Sequence, residues 1–117
     1  MKRQRAEKRG RRSETLAALY LTLKGYRILG RRVKTHAGEI DLVAQSLFGP
    51  VCFIEVKARS HEREAAESVG PQQKSRIMRA AQLYVGARPH LAKRPMRYDI
   101  VTVAPFPRHY PDAWRAE

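Results

Sequence analysis

Cysteine, acidic residues and long apolar runs are all scarce in this chain, and each scarcity excludes something. The single cysteine, Cys52, has no partner for an internal disulfide and is too few for a Cys-rich zinc site. It lies between Val51 and Phe53 and reads as a reduced core residue. No run of about 18 apolar residues occurs, so no membrane-spanning helix is expected. The first residues lack the apolar stretch of a signal peptide, and the expected location is cytoplasmic. No Gly-rich phosphate loop is present, which argues against ATP or GTP use. His36, His61, His90 and His109 are scattered, with no two at a metal-ligand helical spacing, which argues against zinc.

The shortage of acid is the first functional clue. Against 11 Asp and Glu stand 24 Lys and Arg, a formal net charge of +13 and a pI near 10.7. Domains this basic meet phosphate, on nucleic acid or on an anionic membrane. No Lys/Arg-rich amphipathic helix with a Trp/Phe/Leu face is evident, so nucleic acid is the expected partner and membrane is not. The bland reading of the charge is solubility, or a basic accessory protein of translation or of a larger complex. Residues 1–12 hold seven basic residues and one acid, Glu7, and read as a basic arm whose binding would depend on salt.

The chain has 117 residues, 43% of them hydrophobic, which suits one domain with a modest core. Leu16, Leu19, Tyr20 and Leu23 recur at helical spacing over Ser13 to Lys24, and Gly25 is a natural stop. Strands are predicted over Tyr26 to Val33, with a bulge at Gly30, over Glu39 to Ala44 and over Val51 to Ala58. Arg59 to Gly70 is polar and reads as a mobile loop. Pro71 opens a second helix reaching about Val85, with Ile77, Ala80, Ala81 and Tyr84 as its apolar face. Arg97 to Val103 reads as a strand. The expected organisation is a basic arm (1–12), an α/β domain (13–104) in the order α-β-β-β-α-β around a mixed sheet, and a Pro-containing surface tail (105–117) holding Trp114.

The second and third strands form a predicted hairpin turning near Leu47 and Phe48. Strict alternation puts Ile40, Leu42, Ala44, Cys52, Ile54 and Val56 on one face. It puts Glu39, Asp41, Val43, Val51, Phe53, Glu55 and Lys57 on the other. Asp41 then lies opposite or diagonal to Glu55, with Glu39 near Lys57. The apolar end of that face, Val43, Val51 and Phe53, needs a cover, and a helix is expected there. Clustered carboxylates repel one another and resist burial, and a bound Mg²⁺ or Mn²⁺ relieves both costs. Such a centre suits phosphodiester hydrolysis, with Lys57 beside the metal to orient water and balance developing charge. Asp41 and Glu55 are the candidate ligands, with the Val56 carbonyl and Glu39 as additions. The bland alternative is an exposed cross-strand ion pair worth about 0–1 kcal/mol.

Gly38-Glu39-Ile40-Asp41-Leu42-Val43 followed by Phe53-Ile54-Glu55-Val56-Lys57-Ala58-Arg59 resembles the YraN-like family of small bacterial proteins. That family looks like a branch of the restriction-endonuclease-like PD-(D/E)xK superfamily, close to Holliday junction resolvases. The resemblance covers roughly residues 10–103. It implies a central mixed sheet flanked by helices, with the metal site where the hairpin splays. It also implies a first-helix glutamate at the metal site, which Glu14 matches; otherwise Glu14 is an acid favoured by the helix dipole. Relatives often carry Lys where this chain has Gln73. Arg97 and Asp99 match an Arg-aromatic-Asp strand in which the Asp is a structural partner for a base.

Gln73, Lys74, Arg76, Arg59 and His36 are the candidate substrate contacts. The expectation is therefore a Mg²⁺- or Mn²⁺-dependent endonuclease acting on DNA, on branched or single-stranded structures. A resolvase-like role would favour a two-fold homodimer. The alternative is a non-catalytic nucleic-acid-binding module on a nuclease scaffold.

Overall fold

The computed structural model describes residues 2–47, 49–59 and 69–116, with side chains from residue 10 onward. Phe48 of the hairpin turn and most of the Arg59–Gly70 loop lie outside the described residues, so the mobility expected of that loop has no structural counterpart here. The elements are α1 (Lys2–Leu23), β1 (Arg27–Thr35), β2 (Gly38–Gln45), β3 (Val51–Arg59), α2 (Pro71–Gly86), β4 (Met96–Ala104) and β5 (Arg108–Trp114), with a 3-10 turn at Pro89–Leu91. The strands form one mixed sheet in the order β1-β2-β3-β4-β5. Only β3 and β4 are parallel, and α2 supplies the crossover that a parallel pair requires. The expected α-β-β-β-α-β order and helix-flanked mixed sheet are present, and they are compatible with a restriction-endonuclease-like fold. Among the described residues no helix is long and apolar enough to cross a membrane.

Three features differ from the expectations above. First, α1 begins at Lys2, so the backbone of the basic segment continues the helix. Second, its buried face is Glu14, Ala17, Ala18 and Leu21, while Leu16, Leu19 and Leu23 are exposed. Both sets have helical spacing; the small alanines win because they let the helix lie close over Ala44 and Cys52. Third, the C-terminal segment is not a surface tail: it adds β5, pairs with β4 and buries Trp114. Pro111 is tolerated there because β5 is an edge strand. Other signals hold. Gly25 has φ +97 and closes α1 with bonds from its N–H to the Thr22 carbonyl and from the Tyr26 N–H to the Leu21 carbonyl. The ladder shifts register between Ile28 and Gly30, as the expected bulge requires.

The core has two layers. Under α2, Val43, Val51 and Phe53 pack against Ile77, Ala80, Ala81 and Tyr84. This supplies the expected helical cover, with Phe53 edge-on to Tyr84. On the other face Leu42, Ala44, Cys52 and Ile54 pack under α1.

Asp99 on β4 is fully buried and anchors the far end of α1. It accepts from Arg97 through both oxygens (2.9 and 2.8 Å), from His109 Nε2 (2.7 Å) and from the Asp112 N–H (3.0 Å). Arg97 also donates to the Tyr26 hydroxyl, and Lys24 Nζ meets His109 Nδ1 at 2.8 Å. The network thus ties the end of α1 to β4 and β5. Burial alone would raise the Asp99 pKa, but the bonds from His109 and Arg97 outweigh it and hold it below the usual range. Asp99→Ala leaves Arg97 and His109 without their acceptor. It should lower the unfolding free energy by about 3–5 kcal/mol, read from urea denaturation. A loss below about 1 kcal/mol would mean that water replaces the carboxylate at no cost.

Candidate active site

The β2–β3 ladder ends at Leu42 opposite Ile54. Beyond that pair the strands part, as expected at the point where the motif residues begin. Continuing the register would pair Val56 with Ile40. Instead the Val56 N–H donates to Asp41 Oδ2 at 2.8 Å. The carboxylate therefore closes a backbone position that the splay leaves open, and this fixes Asp41 between the strands.

A backbone irregularity decides which way Asp41 faces. Arg32 falls between the Arg31–Leu42 and Val33–Ile40 pairs, in step with Asp41, and has φ +48, a left-handed conformation that costs an arginine on the order of 1–3 kcal/mol. At this point both strands lose their alternation. Ile40 packs under α2 with Val33, yet so do Val43 and its partner position Gly30, three residues along. Strict alternation had placed Ile40 with Leu42 and Ala44; the kink overturns that. As a result Asp41 and Leu42, consecutive residues, both turn towards α1.

Glu14 of α1 thereby meets Asp41. Glu14, Glu39 and Asp41 each offer an oxygen within 4.8 Å of the others. Glu14 is 5% exposed, and its Oε2 has no hydrogen-bond partner among the described residues. On the other side the Asp41 and Glu55 carboxyls are close enough for each to shift the other's pKa. Gln73 of α2 donates from Nε2 to Glu55 Oε1 at 2.8 Å, and Lys57 Nζ lies 3.8 Å from that oxygen. Glu14, Asp41, Glu55 and Val56 line one cavity of about 430 Å³ with Gly10, Ser13 and Ala58.

The structure thus gathers Asp41, Glu55, Lys57, Glu14, Glu39 and Gln73. It does not bring the other candidate contacts into the cluster. Lys74 lies over the Trp114 ring, 6.0 Å from its centre. Arg76 packs beside the β1–β2 turn at Gly38, where His36 is exposed, and Arg59 is exposed at the end of β3. The contact of Glu39 is with Arg32 (3.5 Å), whereas Lys57 engages Glu55. Arg32, also 3.7 Å from Glu14, was missed. The two-residue turn at His36-Ala37 was the available signal, since counting back from it sets Arg32 opposite Asp41.

These carboxyls are difficult to ionise. Burial, then the neighbouring Asp41, pushes Glu55 up to about 7 despite Lys57. Burial also raises Asp41 and Glu14, and each is raised further by a neighbouring acid.

Residues 13–103 match the uncharacterised protein family UPF0102. The chain belongs to that family. It is the YraN-like family to which the two motifs pointed. UPF0102 proteins similar to it occur in Paramagnetospirillum magneticum (48% identical, covering 97% of this chain and 92% of the relative). Others occur in Maricaulis maris (49%, covering 96% and 89%) and Agrobacterium fabrum (45%, covering 97% and 93%). The match spans Glu14, both motifs and Gln73.

The raised Glu55 pKa has a thermodynamic consequence. Folding favours the protonated acid, so this contribution to stability is full below pH 4.5 and is lost as pH rises through about 7. Without divalent ions, the thermal midpoint should fall over that window, by the equivalent of about 1–3 kcal/mol. Glu55→Gln should flatten the slope. A wild-type midpoint that stays level or climbs from pH 4.5 to 7 would contradict the burial of these acids.

Proposed function

We propose that this protein is a metal-dependent endonuclease that hydrolyses phosphodiester bonds in DNA, with branched or single-stranded structures as its substrates. The reading rests on one juxtaposition: the mutually repelling carboxyls of Glu14, Asp41 and Glu55 share a cavity, with Lys57 3.8 Å from Glu55, on a chain of net charge +13. The donors suit Mg²⁺ or Mn²⁺. They are all carboxylate oxygens, which hard divalent ions prefer. One of them, Glu14 Oε2, is buried without a partner among the described residues. Asp41 would be the central ligand, with Glu14, Glu39 and Glu55 around it; the Val56 carbonyl is a further candidate.

When bound, such an ion supplies Lewis acidity towards a phosphate oxygen and a more acidic water. The protein's own groups supply the rest. The Val56 N–H holds the Asp41 carboxylate in place. Gln73 fixes the rotamer of Glu55, a role that an amide fills without adding charge. The Lys57 ammonium is placed beside Glu55 to orient the attacking water and to offset negative charge on the phosphorane. The basic surface raises the local concentration of a polyanion.

Incubation with Mg²⁺ or Mn²⁺ and a panel of linear, single-stranded, forked and four-way DNA tests the reading. Cleavage of at least one substrate is expected. Asp41→Ala and Lys57→Ala should each reduce the rate by at least about 100-fold while DNA binding stays measurable. Salt-sensitive DNA binding that ignores metal and survives Asp41→Ala, with no cleavage of any substrate, would replace the nuclease with the non-catalytic binding module.

A further inference from the structure

Arg32 has an unusual combination of properties. It is a non-glycine residue at φ +48. It falls between the Arg31–Leu42 and Val33–Ile40 pairs, in step with Asp41 on the neighbouring strand. Its Nε is 3.7 Å from Glu14 Oε1 and 3.5 Å from Glu39 Oε1, both longer than a good charge-assisted hydrogen bond. About a third of its side chain is exposed, while Glu14 is almost wholly buried. The guanidinium therefore spans the acid cluster from its open side, held by charge and not by a fitted bidentate pair. Both acids it touches, Glu14 and Glu39, belong to the trio whose oxygens lie within 4.8 Å of one another. Deeper in, Glu14 Oε2 has no partner among the described residues.

We propose that Arg32 is an exchangeable counter-cation that competes with a divalent ion for Glu14 and Glu39 and, once displaced, grips a phosphate of the nucleic acid. The inference rests on the nuclease reading above and assigns a substrate contact that the hairpin motif lacks. An ion among these carboxylates and the Arg32 guanidinium seek the same negative charge, so each weakens the other's hold. Displacement leaves Arg32 tethered at the cavity rim with its five donors free, and a guanidinium fork matches phosphate oxygens. The Lys57 ammonium lies beside Glu55 on β3 and Arg32 lies on β1, the two strands that flank Asp41 on β2, so the two cations would hold the substrate from either side of it. Arg31 is not equivalent: its guanidinium donates to the Thr15 hydroxyl of α1 at 2.7 Å.

The test uses the full chain and the variants Arg32→Gly and Arg32→Asn, residue types that accept a left-handed backbone, so the fold is retained. Calorimetric titration with Mn²⁺ should show binding about three- to tenfold tighter in both variants than in wild type. In a Lys57→Ala background, in which cleavage should be at least about 100-fold slower, affinity for a single-stranded oligonucleotide is then measured with and without Mn²⁺. Arg32→Gly should weaken it at least about threefold with Mn²⁺ and hardly at all without. Mn²⁺ affinity that is unchanged or weaker in the variants would make Arg32 a prop for the carboxylates and overturn the proposal. An equal loss of DNA affinity in both conditions would make it an ordinary surface cation and overturn the proposal as well. If wild type binds no Mn²⁺, the nuclease reading fails and this inference with it; if wild type binds and the variants match it, only this inference fails.

Discussion

The hydrogen bond from the Val56 N–H to Asp41 is what the rest of the site depends on. It sits where β2 and β3 stop pairing, and a splayed hairpin would otherwise leave a backbone donor unmatched in a partly buried cleft. One carboxylate closes that gap and, by doing so, is held between two layers. Glu14 approaches it from the α1 side and Glu55 from the α2 side. Had the ladder continued, Asp41 would be one more strand residue with a side chain on a single face. The opening in the sheet is thus as much a part of the site as the acids around it.

Keeping that opening acidic has a cost, visible in the raised pKa values of Glu14, Asp41 and Glu55. Carboxyls in a structural ion-pair network are usually displaced the other way, as Asp99 is. The two buried clusters of this small domain therefore behave oppositely. Around Asp99 the carboxylate is met by donors on both oxygens and the arrangement is closed. Around Asp41 the positive partners among the described residues, Arg32 and Lys57, are partly exposed. The first fits an anchor, the second a site that exchanges its partners.

Much of this was legible in the residues. The apolar spacing of α2 and the order of the elements follow from simple periodicity, and the hairpin register predicted the meeting of Asp41 and Glu55. What was not legible shares a cause. Alternation assumes an even strand, and a left-handed arginine leaves no mark in composition, so the turn of Asp41 towards α1 was invisible. The buried stripe of α1 was mistaken for its leucine stripe because close helix-on-sheet contact rewards alanine, which hydropathy ranks low. His109 looked unattached because β5, which carries it to Asp99, was masked by three prolines. Gln73 looked like a departure from its relatives, and only the geometry shows it in contact with Glu55.

The single parallel pair, β3 with β4, is what brings a helix to the acids. The meander β1-β2-β3 joins neighbours in sequence, so Arg32, Asp41 and the Val56 amide meet within three consecutive strands. Gln73 rides on the crossover helix that the parallel pair requires, and reaches Glu55 from there. The acids and the amide that orients one of them thus belong to different connections of the sheet. The charge of the site is a property of the meander; the orientation of Glu55 is lent to it by the crossover.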